Sequence, residues 1–191
     1  MEAWKRRLLL AAIGFVLAPL GDRVHVSSGA TGYDFALVPM IASSTTWFVL
    51  SVVALVVVLG DVATKLQKSE AQATHRAPDA VGAVATCLVV WALSAALPFE
   101  RGYAVTIALF AVAMVGWAAF ERTHAGLMVG ILAGAIGTSC EMLLVGRGWF
   151  HYAEPLRHVW GVPTWLFAVH ASAGVAVSQL ARQLERCAAD R

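Results

Sequence analysis

Charge is scarce in this chain. Asp, Glu, Lys and Arg make up 14% of its 191 residues, against about 25% in soluble domains. That shortage leaves no room for a soluble catalytic module. The net charge of +2 is too small to point to nucleic acid. Cysteine is scarce too. Cys87, Cys140 and Cys187 share no metal-ligand spacing. Cys87 and Cys140 lie in apolar runs and are expected as buried, reduced thiols. The chain has no H-E-x-x-H, G-x-S-x-G or Walker A motif, and no span carries the basic ladder of a voltage sensor. It has no internal repeat, and only the Pro39 region offers a broken helix, which argues against a transporter.

What the chain has is apolar length. Hydrophobic residues make up 59% and the mean hydropathy is +0.71. The reading is an all-α membrane protein, a six-transmembrane-helix bundle in one membrane domain, 1–191. The spans fall at about 8–20, 45–60, 81–98, 104–120, 126–146 and 162–180. The first follows Lys5-Arg6-Arg7 and resembles a signal peptide, but no A-x-A cleavage signal follows it closely, so it is expected to be retained. The run 35–60 is too long for one straight span. Pro39 and Ser43-Ser44-Thr45-Thr46 suggest a break near residue 44, with 35–44 as an interfacial or re-entrant lead-in. Those hydroxyls either line a polar pocket or bond their own backbone. The polar linker 61–80 is expected to be cytosolic and mobile.

Six spans put both termini on one side. On that topology ten of the basic residues fall in inner segments and four in outer ones, so the positive-inside rule places both termini in the cytosol. Trp4, Trp91, Trp149, Trp160 and Trp165 lie near span ends or in loops, as an aromatic belt requires.

The fifth run is the most informative. Gly130, Gly134, Gly137 and Glu141 share one helical face at ~100° per residue. Glycines four apart let a neighbouring helix backbone approach; alternatively they leave a crevice for a flat or chain-like lipid. Glu141 and His170 are the ionisable residues well inside spans, and their depths differ by only ~5 Å at 1.5 Å rise per residue, so they can meet. Such residues are expensive in lipid and are functional candidates by default. Three readings stay open: a hydrogen-bonded pair joining two helices, a contact with a ligand's polar head, and proton chemistry. Asp22 and His25 offer too few ligands for a metal site and are expected in a solvated interfacial turn.

From Phe120 onward the residues resemble the Insig family of endoplasmic-reticulum sterol-regulation proteins. Phe120-Glu121-Arg122-Thr123-His124-Ala125-Gly126 is similar to that family's Phe-Asp-Arg-Ser-Arg-Ser-Gly. Gly148-Trp149-Phe150-His151-Tyr152 is similar to its Gly-Val-Tyr-Gln-Tyr. Pro155, Trp165-Leu166, Gly174 and Arg182-Gln183-Leu184 continue the likeness, and Ser43 to Trp47 is loosely similar to Ser-Ser-Ala-Trp-Trp. The resemblance implies six spans with cytosolic termini. It also implies a non-enzymatic role: binding a lipid in a membrane cavity and gripping a partner membrane protein, which in animals is Scap. Glu121 then stands at the partner-binding aspartate. Ala104 and Ala108 stand at the polar sterol-contacting positions of span four. Glu141 replaces an expected threonine and His170 an expected phenylalanine, which suggests a different head group or helix contact.

The expected ligand-binding set is therefore Glu141, His170, Gly134, Gly137, Ala104 and Ala108, with Glu121 for a partner and no catalytic or metal residue. No cofactor is expected beyond a bound lipid, diacylglycerol-like or sterol-like. The Ala, Val and Arg bias suggests a bacterium, hence the inner membrane, and the glycine faces suggest a homo-oligomer. The alternative is a small intramembrane enzyme acting on an isoprenoid or lipid substrate with Glu141 and His170.

Overall fold

The computed structural model describes residues 2–35, 41, 44–67, 77–97 and 102–189. The expected break at Pro39 and Ser43, and most of the expected linker 61–80, lie outside the described residues. Six helices follow in chain order: α1 (Ala3–Ser27), α2 (Thr46–Gln67), α3 (Ala77–Ala96), α4 (Gly102–Gly116), α5 (His124–Gly146) and α6 (Leu166–Ala189). A π-helical turn, Trp117–Glu121, extends α4. Two short strands, β1 (Thr31–Tyr33) and β2 (Phe150–Tyr152), pair antiparallel, Thr31 with Tyr152 and Tyr33 with Phe150.

Five helices are long and apolar enough to cross a membrane: α1, α2, α3, α4 with its π turn, and α5. α6 is the exception among the described helices. It packs against all five others and buries Ser172, Ser178, Gln179 and Arg182. A helix sheathed by other helices meets protein rather than lipid, so it tolerates polar residues that a lipid-facing helix would not.

Several boundaries differ from the sequence reading: α3 starts at Ala77 rather than Val81 and α6 runs on to Ala189 rather than Leu180, and three other differences have a visible cause. α1 does not stop at Leu20; it continues through Pro19 and Asp22 to Ser27. Thirteen residues cannot span a bilayer and twenty-five can, and a proline is tolerated within a spanning helix when surrounding groups take up the freed backbone carbonyl. Gly21 permits the close approach of α3, because a side chain there would overlap the Trp91 ring. α2 runs past Gly60 to Gln67, since Asp61, expected to open the linker, is held by Arg6 at 2.7 Å and Arg7 at 2.8 Å. The sixth helix starts at Leu166 rather than Val162, because Val159 and Val162 bridge to each other in a preceding turn.

The aromatic belt is partial. Trp4 and Trp160 are exposed, but Trp165 is 1% exposed in the core and Trp91 packs inside the bundle. Cys87 is buried and free; Cys140, also free, is exposed, because it falls on the α5 face turned away from α6. The glycine ladder is a helix seam. Gly130 faces Ala171 and Val175 of α6, Gly134 faces Phe167, Gly137 faces His170, and Gly174 of α6 faces Val129 and Ala133 in return.

Candidate functional site

Between α1, α2, α5 and α6 lies a cavity of about 110 Å³. Its lower walls are apolar: Val52, Leu55, Val56 and Leu59 of α2, Ala133 of α5, and Ala173 and Val177 of α6. Its upper end is polar, with Asp22, His25, Thr31, Tyr33, Glu141, Tyr152 and His170. Phe48 to Leu59 on α2 and Leu166 to Val177 on α6 both line it, so it runs roughly 16 Å along the helices. No Lys or Arg lines it among the described residues.

The roof is the two-stranded ladder. Paired residues of an antiparallel ladder share a face, so Thr31, Tyr33, Phe150 and Tyr152 all turn towards the cavity and Gly32 and His151 turn away. His151 binds Asp34 outside at 2.8 Å, and Gly32 is required because a side chain would press on the His151 ring. The chain reaches β2 through a Schellman stop to α5: Gly148, at φ 67, donates to Val145 O at 2.9 Å and Trp149 to Leu144 O at 3.1 Å. A left-handed residue there favours glycine. The motif Gly148 to Tyr152 is thus a helix stop followed by the roof.

Two carboxyls hang beneath the roof. Glu141 of α5 accepts from the Tyr152 hydroxyl and lies 2.9 Å from His170 Nε2. Asp22 of α1 accepts from the Tyr33 hydroxyl at 2.7 Å and from Ser44 at 2.5 Å. Burial first, and the facing carboxyls second, hold the phenols of Tyr33 (beside Asp22) and Tyr152 (beside Glu141) well above the ordinary phenol range. Both phenols therefore stay protonated and donate. His25 stacks on Trp165, ring centroids 6.0 Å apart, and its Nε2 lies 2.8 Å from Ser94 Oγ.

The expected site residues separate into three groups. Glu141 and His170 touch and line the cavity. Gly134 and Gly137 are not among its lining residues, since Phe167 and His170 of α6 fill the space beside them. Ala104 and Ala108 are exposed on the outer face of α4, while Val105 and Leu109 turn inward. Glu121, expected at a partner surface, is fully buried. It pairs with Arg182 and accepts from Thr123 at 2.5 Å. Gly126 is glycine because the Glu121 carboxyl occupies its side-chain space.

Tyr33 and Tyr152 had no site role in the sequence reading, Ser44 had one only as part of a hydroxyl run that could line a polar pocket, and Asp22 only in a metal pair set aside for want of ligands; the solvated turn expected around Asp22 and His25 is instead helix, with both residues half-buried. One signal was present: a 13-residue first run is too short to span, so its helix had to continue through Asp22. Tyr33 gave no comparable sign, because its partners are distant in sequence.

These features define a helical integral membrane protein built around an internal cleft, polar at one end and apolar along its length. An INSIG protein homologue of Mycolicibacterium vanbaalenii is 30% identical over 173 residues, which cover 91% of this chain and 83% of that one. The chain belongs to the Insig family. Bovine insulin-induced gene 1 protein is 27% identical over 184 residues, 94% of this chain and 66% of the bovine one. The crystal structure of the mycobacterial Insig homologue MvINS superposes with a TM-score of 0.84 at 28% identity, covering 93% of this chain and 92% of that one. A cross-linked MvINS trimer gives 0.85 at 27% identity, covering 94% and 93%. No known family's sequence profile matches the chain.

Proposed function

We propose that this protein binds one hydroxylated lipid, head upward, in the cleft between α1, α2, α5 and α6, and acts as a non-enzymatic sensor or regulator. The observation that carries this is the polarity of the cleft. Polar groups gather beneath the β1–β2 roof, and the rest of the wall is apolar. An amphipathic lipid has that same division. Glu141 and His170 contact the head, together with Asp22 and the two tyrosines. The head is diacylglycerol-like or sterol-like, uncharged and carrying a hydroxyl. At about 110 Å³ the cleft is smaller than the roughly 300–1,000 Å³ usual for drug-sized ligands. It holds the head and the start of a chain, and the remainder lies between helices or in the bilayer.

The topology that goes with this reading is one membrane domain of six spans. α6 is the sixth, shielded by the other five, and both termini lie in the cytosol by the bias of Lys and Arg. The membrane is the bacterial inner membrane. The protein forms a homo-oligomer, in keeping with the cross-linked trimer of the mycobacterial homologue, and has room for a membrane-protein partner on its exposed α4 face.

Mass spectrometry of lipids extracted from the purified protein tests the reading. The expected result is one hydroxylated lipid near one per chain. An empty protein, or only bulk phospholipid, would sink it. The alternative, an intramembrane enzyme on isoprenoid or lipid substrates, draws on the same Glu141–His170 contact, with Glu141 as proton donor. Incubation separates the two: an enzyme converts the recovered lipid, and a binding protein returns it unchanged.

A further inference from the structure

Glu141 is not the only acid in the cleft head. Asp22 reaches it from α1, on the far side of the roof, and each acid is held by its own tyrosine. Tyr33 and Tyr152 are diagonal neighbours on the ladder, their Cα atoms roughly 7–8 Å apart. Both carboxyls line the same cleft head. A carboxylate has about four acceptor positions. Asp22 has two filled, by Tyr33 and Ser44. Glu141 has two neighbours, Tyr152 and His170. Each acid therefore has acceptor capacity left for a ligand. The cleft also holds buried polar atoms without a hydrogen-bond partner: Thr31 Oγ1 and Trp91 Nε1. Among the described residues the lining has no Lys or Arg, and its two histidines are already engaged, His25 with Ser94 and His170 with Glu141.

We infer that Asp22 is a second head-group anchor, and that Asp22 and Glu141 together select lipids whose head carries two hydroxyl donors over lipids with one, and exclude anionic heads. This rests on the lipid-binding reading above. A diol gives one hydroxyl to each acid, whereas a single hydroxyl satisfies only one. A phosphate meets two acids and neither a lysine nor an arginine, so it is repelled and poorly solvated.

The test keeps the chain constant and varies the head. Glycerol monooleate has two free hydroxyls and ethylene glycol monooleate has one; oleoyl lysophosphatidic acid supplies the anionic head. Affinities are measured on the full-length protein in detergent by tryptophan fluorescence, with native mass spectrometry as a check. Wild type should bind glycerol monooleate roughly tenfold tighter than ethylene glycol monooleate, the worth of one hydrogen bond to a charged acceptor, and should not bind the phosphate lipid. Asp22→Asn should bring the two glycol esters to within about twofold while ethylene glycol monooleate still binds. Equal affinities in wild type overturn the inference without any variant, so a misfolded Asp22→Asn cannot protect it. Tight binding of the phosphate lipid, or an unchanged preference in a folded Asp22→Asn, also overturns it. If neither glycol ester binds wild type, the lipid-binding reading itself fails.

Discussion

The two ends of the bundle both bury acids, and they treat them differently. At the cytosolic end of the proposed topology Asp61, Glu121 and Glu185 each meet a guanidinium. Arg6 bridges Asp61 of α2 and Glu185 of α6, and Glu121 pairs with Arg182. Around the second pair Thr123 bonds Glu121, Ser178 lies 3.4 Å from it, and Gln67 reaches Ser178 at 3.0 Å, which ties α2, α5 and α6 together. At the other end Asp22 and Glu141 meet phenols, a serine and a histidine, and no Lys or Arg. A guanidinium satisfies a carboxylate and clasps two helices with directional, charge-assisted bonds. Neutral donors orient a carboxyl and leave it able to accept more. The comparison teaches that an acid within a membrane protein is read by its partners: one set of acids holds helices, and the other is organised for something that comes and goes.

The sharpest way to break the comparison is to remove an inner acid. Glu121→Leu leaves Arg182 buried beside an apolar side chain, and losing one partner of a buried pair costs about 3–5 kcal/mol. The unfolding midpoint in detergent should fall steeply, or the protein should fail to accumulate. A midpoint close to wild type would mean that Glu121 is not structural.

The seam comes next. Gly137→Leu places a side chain where the His170 ring stands, a Cβ only 2.5 Å from its nearest carbon. Overpacking of this kind costs about 1–3 kcal/mol, and here it also pushes His170 off Glu141. Thermal unfolding without added lipid should show the loss. An unperturbed midpoint would point to a crevice beside Gly137 rather than a packed ring.

An outer acid should behave in the opposite way. Glu141→Gln keeps the shape and loses the charge. Interhelical polar contacts in membranes contribute only about 0.6 kcal/mol on average, so unfolding without lipid should barely move. Lipid affinity should drop about tenfold or more. A large stability loss with unchanged lipid affinity would make Glu141 a helix clasp like Glu121.

The smallest effect belongs to α4. Ala104→Ser and Ala108→Ser lie on an exposed face, away from the cleft. Both should bind lipid within about twofold of wild type in the fluorescence assay. A marked gain in affinity would bring the ligand to α4 instead.

How legible this was from the amino acids varied with how local each cause is. Depth arithmetic brought Glu141 and His170 together, and they stand 2.9 Å apart, because helix rise is a constant that needs no knowledge of neighbours. The glycine ladder pointed to close approach, but periodicity could not tell a helix from a lipid on the other side; Ala171, Phe167 and His170 fill that side. Asp22 was hidden because Pro19, Gly21 and Asp22 read as a stop, while its stabilising partners, Tyr33 and Ser44, belong to other elements. Glu121 was read for its family position and not for its surroundings, and only the fold brings Arg182, far along the chain, against it. α6 was placed four residues early at its start because apolar Val162 belongs to a turn that no hydropathy pattern distinguishes from a helix.

Native mass spectrometry of wild type and Glu141→Gln, purified side by side in the same mild detergent, tests the central claim most directly. The account predicts one retained lipid per wild-type chain, and a variant that is folded, elutes with the same oligomer size and is largely empty. A wild-type protein that carries no lipid, or a folded Glu141→Gln that retains as much lipid as wild type, would contradict it.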